Sequence, residues 1–197
     1  MSQSIKNIYL ASNSPRRKAI FDFLGLNYKK LEIQCEETTS ETDPFKVCED
    51  ITKQKLRAAR LSFEMDDKTN LSKSSLIVAS DTVVCLGDKV FGKPKNKVEA
   101  KQFLSELSGR SHFVITGVGC ALGEREFYFS DETTVFFREL TEEMIDYYLE
   151  KNTFGDKAGA YAIQSEDCFF VERIDGSFSN VIGFPVEKFR EFLKCEC

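Results

Sequence analysis

Two serines, a proline and three basic residues stand together in "SNSPRRK", residues 12–18, where a short apolar run ends. A loop that leaves a strand and enters a helix exposes backbone N–H groups at the positive end of the helix dipole, and arginine forks beside it suit a phosphate. Ser12 and Ser14 add hydroxyls, and Arg16 and Arg17 supply the forks. The alternative is an ordinary capped helix with solvated arginines. Basic charge in a first helical turn is disfavoured by the dipole, so something anionic is expected to compensate it.

A second cluster is "ASDTVV", residues 79–84. A carboxylate inside an otherwise apolar strand is costly to bury unless it is paired, hydrogen-bonded or bound to metal. Asp81 is therefore either a functional acid or a strand-end residue that caps a turn. In "FGKPKN" the neighbours Gly92 and Pro94 would hold Lys93 in a rigid surface turn. Glu36 and Glu37 follow "LEIQC", where two acids can share a divalent ion, polarise a water or simply be solvated. "GDKAGAYAIQ" sets Asp156 and Lys157 before small residues that let backbone come close to a ligand or another segment. Gln164 then offers an amide able to read a base edge or to make a structural hydrogen bond.

Several chemistries are disfavoured. The single histidine, His112, weakens any nucleophile–histidine scheme, so acid–base work falls to carboxylates, lysines or metal. No CxxC pair occurs among the seven cysteines, which argues against a Cys/His zinc site; four lie in apolar runs and read as reduced, buried thiols. The tail "KCEC" reads as a frayed end. "GVGCALG" is not GxGxxG and belongs to a strand, and no GxxxxGK[ST] is present. A formal net charge of -5 without a basic stripe disfavours long nucleic acid. The apolar runs fall short of a membrane span and the N-terminus lacks the features of a signal peptide, so a cytoplasmic protein is expected.

The elements that must position these residues follow from pattern and punctuation. "NIYLA" reads as a strand, and Pro15 opens a helix that Gly25 stops. "YKKLEIQC" reads as a second strand, and Asp43 with Pro44 opens a helix to about Phe63. "EMDDKTNLSKSS" reads as an exposed loop. A long strand from "LIVASD" continues as a hairpin through Gly87 and Asp88, and "KVEAKQFLSELSG" is an amphipathic helix closed by Gly109. "HFVITGVGCALG", "REFYFSDETTVFFREL" and "DCFFVERIDGS" supply further strands, and "TEEMIDYYLEK" and "PVEKFREFLK" further helices. Mixed elements in this order indicate an α/β protein with one large mixed sheet, and no linker divides the 197 residues.

Taken in order, "LASNSPRR", "EET", "ASDTVV", "GKPKN", "TGVG", "DKAGAYAIQ" and "GSFSNVIGFP" resemble the Maf family of nucleotide pyrophosphatases over nearly the whole chain. The resemblance implies a single Maf-like domain over 1–197, with an elongated mixed sheet flanked by helices and a cleft between two lobes. It implies hydrolysis of a nucleoside triphosphate to the monophosphate and pyrophosphate, with Mg²⁺ or Mn²⁺ as the divalent cofactor, and a homodimer. On the matching positions, Ser12, Arg16 and Arg17 belong to the phosphate-binding loop. Asp81 and Glu37 are the acids that hold metal or activate water, and Lys55, in "KQKLRAA", and Lys93 face the phosphates. Gln164 lies where the base is read, and Thr82 follows the central acid. "DKAGAYAIQ", "SPRR" and Thr82 resemble the members acting on dTTP and UTP, whereas a subgroup acting on 7-methyl-GTP has a serine–phenylalanine stretch in place of the alanine–tyrosine. Ser165 departs from the glycine that commonly follows the glutamine, and Cys35 precedes the acidic pair. Two alternatives share the cleft: a nucleotide-binding regulator of cell division without turnover, and a purine-directed pyrophosphatase acting on ITP or XTP.

Overall fold

The computed structural model describes residues 5–67 and 74–196. Its centre is β3, Ser75–Leu86, a strand of 12 residues that is almost wholly buried. One edge of β3 pairs along its length with β5, Ser111–Leu122. The other edge is shared. β1, Asn7–Ala11, runs parallel to it as far as Ala79, and β4, Lys89–Phe91, runs antiparallel to it from Val84. Residues 80 to 83 thus have a strand on one side only. Outward from β5 come β6, Arg125–Phe137, and β7, Val171–Asp175, both antiparallel, while β2, Tyr28–Lys30, closes the other end beside β1. The result is a seven-stranded mixed sheet with helices on its faces.

Helix α1, Pro15–Phe23, starts at the expected proline, and α2, Pro44–Asp67, is capped as expected: the Asp43 carboxylate accepts from Lys46 N at 3.0 Å. α3, Lys97–Leu107, is capped by Asn96, whose side chain accepts from Glu99 N, while Glu99 accepts from Lys95 N. α4, Glu142–Lys151, is capped by Thr141, and α5, Phe178–Ile182, by Ser177. α6, Val186–Glu196, follows.

The apolar stripe of α2 (Leu56, Ala59, Phe63) packs on Ile77, Ala79 and Ala121. Across the sheet, Phe21 of α1 and Phe189 of α6 meet Val78, Val118 and Cys120. α3 and α4 bury Leu104, Leu107, Ile145 and Tyr148 against Val84, Val114 and Val135 around the far part of the sheet. Each strand residue buried this way follows the two-residue alternation of a sheet with both faces covered.

Four expectations are corrected. "YKKLEIQC" forms a strand only over its first three residues, because β1 ends at Ala11 and its chain turns away: Leu31 N still reaches Leu10 O at 3.0 Å, and the residues after it have no strand beside them. α2 continues one turn past Phe63 through "EMDD", so the expected loop shrinks, and its positions 68–73 lie outside the described residues. The strand in "DCFFVERIDGS" is confined to Val171–Asp175. The chain end is helical to Glu196, with Arg125 bonded to Glu196 at 2.8 Å, rather than frayed at "KCE"; Cys197 lies outside the described residues.

Candidate active site

A cleft of about 890 Å³ opens where β3 loses its second neighbour. β1 stops at Ala11 and its chain turns away through Ser12; β4 has yet to begin; the crevice lies beyond the C-terminal end of a parallel strand, where open α/β sheets bind ligands. Ser12, Arg16, Arg17, Glu37, Lys55, Asp81, Thr82, Lys93 and Gln164 all line it. The structure therefore brings together every site residue named from the sequence.

Strand alternation distributes the chemistry. Asp81 points to the face covered by α2, and Thr82 to the opposite face, covered by α1 and α5. On the α2 side, Lys55 lies one turn beyond Thr52 and two beyond Cys48, both facing the sheet, and reaches the carboxylate. Lys55 Nζ is 2.6 Å from Asp81 Oδ1 and 3.0 Å from Glu37 Oε1, and Lys93 Nζ is 3.8 Å from the same Glu37 oxygen. Asp81 and Lys55 are 9% and 8% exposed, so the costly carboxylate is paired as its burial demands. Cys48, one of the buried cysteines, donates its S–H to the carbonyls of Asp81 and Ile115, each at 3.6 Å. Burial first, then the Asp81 charge, pushes that thiol up to about 12, so it remains a donor.

On the other face Arg17 is buried and its fork is largely committed to protein. Nε donates to Gly183 O at 2.8 Å, Nη2 to Thr82 Oγ1 at 2.9 Å, and Nη1 to Ser12 Oγ at 3.4 Å. Burial lowers its pKa and the charge of Asp81 opposes that. Behind it runs a buried polar chain. Thr82 Oγ1 meets Thr116 Oγ1 at 3.0 Å, Thr116 donates to Asn180 O, and Asn180 Nδ2 donates to Val114 O and Thr133 Oγ1. Gly183 ends α5 at φ 119, a conformation that favours glycine, and a Cβ there would sit 3.3 Å from Thr82 Oγ1. Arg17 is thus a clamp between the start of α1, the centre of β3 and the end of α5.

Arg16 points the other way, to the loop before "AGAYAIQ". Nη1 donates to Asp156 Oδ2 at 2.8 Å and Nη2 to Asp156 O at 3.0 Å. Lys157, 8% exposed, binds the other carboxylate oxygen, Asp156 Oδ1, at 2.6 Å and Thr153 Oγ1 at 2.9 Å. Burial raises the Asp156 carboxyl, but the hydrogen bonds from Lys157 and Arg16 outweigh it and lower its pKa. Asp156 is the anion that the first turn of α1 required.

His112 stands outside the cleft lining, buried in β5, with Nε2 2.8 Å from Tyr161 OH and Nδ1 without a partner. Burial lowers its pKa to about 4, and it contributes no acid–base group to the site. Sequence reasoning missed Thr116 and Asn180: a threonine is an ordinary strand residue, and the criterion that singled out Asp81 was a buried charge.

A family model described as a Maf-like protein matches residues 7–196. The chain belongs to the Maf family. It is 38% identical over 191 residues to a dTTP/UTP pyrophosphatase of Thermoanaerobacter pseudethanolicus, covering 96% of each chain. Against a protein of the same description in Thermotoga maritima it is 40% identical over 186 residues, 94% of this chain and 87% of that one. Among solved structures, the Staphylococcus aureus Ham1 protein aligns over 98% of this Maf chain and 100% of its own with a TM-score of 0.56, at 15% identity, a likeness of fold.

Proposed function

We propose that this Maf protein hydrolyses dTTP and UTP to the nucleoside monophosphate and pyrophosphate. The observation that carries the reading is the Glu37–Lys55–Asp81 cluster, set at the break in β3 and flanked by Arg16, Arg17 and Lys93. It joins a buried acid, able to take a proton from water, to cations able to stabilise charge on phosphate oxygens, with no nucleophile–histidine pair in the cleft. The curated relatives described as dTTP/UTP pyrophosphatases support the substrate choice.

In this reading the nucleotide lies along the cleft with its triphosphate between the start of α1 and the Lys55–Lys93 side, and its base toward Gln164. Asp81 orients the attacking water and accepts its proton. Lys55 and Lys93 stabilise the oxygens of the cleaved anhydride, and Arg16 with Ser12 fixes the phosphate chain. Thr82 acts beside Asp81 by holding the Arg17 fork.

Among the described residues, no group of three or more His, Cys, Asp or Glu side chains could hold a metal ion alone. The donor set nonetheless fits Mg²⁺ or Mn²⁺, since Mg²⁺ is commonly held by one or two carboxylates together with substrate phosphates and water. Asp81 Oδ1 and Glu37 Oε1 are both paired with Lys55 Nζ, which brings the two carboxylates together, and the ion would be held by their remaining lone pairs jointly with the nucleotide. Such an ion, when bound, supplies Lewis-acid polarisation of a phosphoryl oxygen. No described helix is long and apolar enough to cross a membrane. From the family resemblance we take the enzyme to be a cytoplasmic homodimer.

The test is pyrophosphate release from dTTP, UTP, CTP, ITP and 7-methyl-GTP, each with Mg²⁺, Mn²⁺ or a chelator. Chelator-sensitive release from dTTP and UTP is expected. Release mainly from ITP would replace the pyrimidine reading, and binding without turnover under every metal would replace the hydrolase.

A further inference from the structure

Arg16 and Asp156 are 140 residues apart in sequence, yet they meet across the cleft through two bonds, one to the carboxylate and one to the backbone carbonyl. The second carboxylate oxygen is held by Lys157, which is anchored in turn on Thr153. Both oxygens of Asp156 therefore have fixed partners, although its side chain is 47% exposed. An ion pair this exposed contributes little to folding. Its geometric effect is larger. It fixes one edge of the Arg16 guanidinium, so that the remaining N–H groups of a residue in the cleft lining have a defined direction. It also ties the first turn of α1 to the segment that leads, eight residues later, to Gln164. The turn between them is itself constrained, with Gly159 at φ 67 and Ala160 at φ 66, and alanine adopts the left-handed region only where its surroundings impose it.

We propose that Asp156 is a positioning residue for nucleotide binding: it orients Arg16 toward the phosphates and sets the distance between the phosphate loop and the base-side segment. The proposal rests on the nucleotide-hydrolase reading above. An arginine with several freely rotating bonds must be ordered when substrate binds, and pre-ordering it removes that cost from the binding step. Asp156 does not take up all of its donors, because a guanidinium carries five N–H groups and this contact uses two. Two cations on one carboxylate also leave the trio with a net positive charge facing an anionic ligand.

The experiment measures steady-state pyrophosphate release from dTTP and UTP, together with thermal unfolding. It compares the wild type with Asp156→Ala, Asp156→Asn, Arg16→Ala and the double variant Arg16→Ala/Asp156→Ala. Asp156→Ala should raise KM about tenfold while kcat stays within about threefold, because the lost interaction orders a binding group rather than the reacting atoms. The double variant should be no worse than Arg16→Ala within about twofold, since the carboxylate acts through the arginine. Asp156→Asn keeps an acceptor for Arg16 and should lie between the wild type and Asp156→Ala. It decides the question alone if Asp156→Ala, which leaves the buried Lys157 unpaired, fails to fold. An unchanged KM in the folded variants, additive losses in the double variant, or a lower KM would each overturn the proposal. The last would mean that Asp156 competes with phosphate for Arg16. A wild type that releases no pyrophosphate overturns the proposed function, and this inference with it; an active wild type matched by both Asp156 variants overturns the inference alone.

Discussion

Replacing Arg17 with methionine tests whether this arginine acts chiefly as a clamp. The substitution keeps an unbranched, apolar stem but removes the fork that joins Gly183 O at 2.8 Å to Thr82 Oγ1 at 2.9 Å. The third contact, to Ser12 at 3.4 Å, is too long to count for much. A hydrogen bond from a charged donor contributes about 1.5–3 kcal/mol, so two of them set a gross loss of about 3–6 kcal/mol. Part of that is recovered. Thr82 keeps Thr116, and a buried cation no longer has to be desolvated. A net loss of about 2–4 kcal/mol remains. For a chain of this size each kcal/mol moves Tm by about 2–4 °C, so calorimetry should record a fall of about 5–15 °C. Turnover measured below the new transition should fall as well, because the clamp aligns the start of α1 with β3. Arg17→Lys separates charge from geometry: a lysine ammonium cannot span both acceptors as a fork does, so it should recover little of the lost stability. A methionine variant that melts within about 2 °C of the wild type while losing turnover a hundredfold would refute the reasoning. Arg17 would then act through the substrate alone.

Asp81→Asn should lower kcat by about 10²-fold or more, measured as pyrophosphate release from dTTP; a change of only a few-fold would remove Asp81 from the role of base. Gly117→Ala places a Cβ 2.7 Å from Thr52 Oγ1, 2.9 Å from Tyr128 OH and 3.1 Å from Cys48 Sγ, beneath the helix that carries Lys55. Urea unfolding should show a loss of about 1–3 kcal/mol, with kcat reduced in the folded variant as α2 is pushed outward. His112 has a folded pKa of about 4 against an ordinary value near 6.5, so its neutral form is the one the fold accepts. Its stabilising effect is full above about pH 6.5 and is lost as pH falls toward 4, reaching about 2 kcal/mol by pH 5. His112→Phe should flatten that part of the stability–pH curve in urea titrations, and an unchanged slope would contradict the assignment.

Much of the site was legible because its residues break local rules. Asp81 interrupts a buried strand, and Arg16 and Arg17 crowd the wrong end of a dipole; both anomalies have charged or polar partners in the folded protein. The identity of those partners was not legible. Asp156 is 140 residues from Arg16, and neither sequence pattern nor propensity carries information over that distance. The end of β2 was hidden for a related reason. Residues 31 to 35 alternate as a strand should, but pairing depends on β1, which turns away after Ala11. The unpaired stretch that follows brings Glu37 over the cleft, so the misread strand and the placement of that acid have one cause. α5 and the turn at Ala158–Ala160 are too short for a 3.6-residue period to appear; α5 is marked by its Ser177 cap alone, and the turn has no side-chain cap.

The electrostatics of the cleft reverse those of the chain. Over the full sequence acids exceed bases and the formal net charge is -5. Around the break in β3, the side chains of Arg16, Arg17, Lys55, Lys93 and Lys157 face four carboxylates, Glu36, Glu37, Asp81 and Asp156. Glu37, Asp81 and Asp156 hold four of the cations in place, each by an ion pair, while Arg17 is held by neutral oxygens. The donors are therefore ordered without a ligand, and an excess of one positive charge remains in a crevice of a chain whose net charge is -5. A field of this shape draws a polyanion to one point and repels it elsewhere. It also suits hydrolysis better than storage. Groups fixed by the protein need little reorganisation as negative charge grows on the phosphate oxygens, and this preorganisation is the largest catalytic contribution available to a site without a nucleophile.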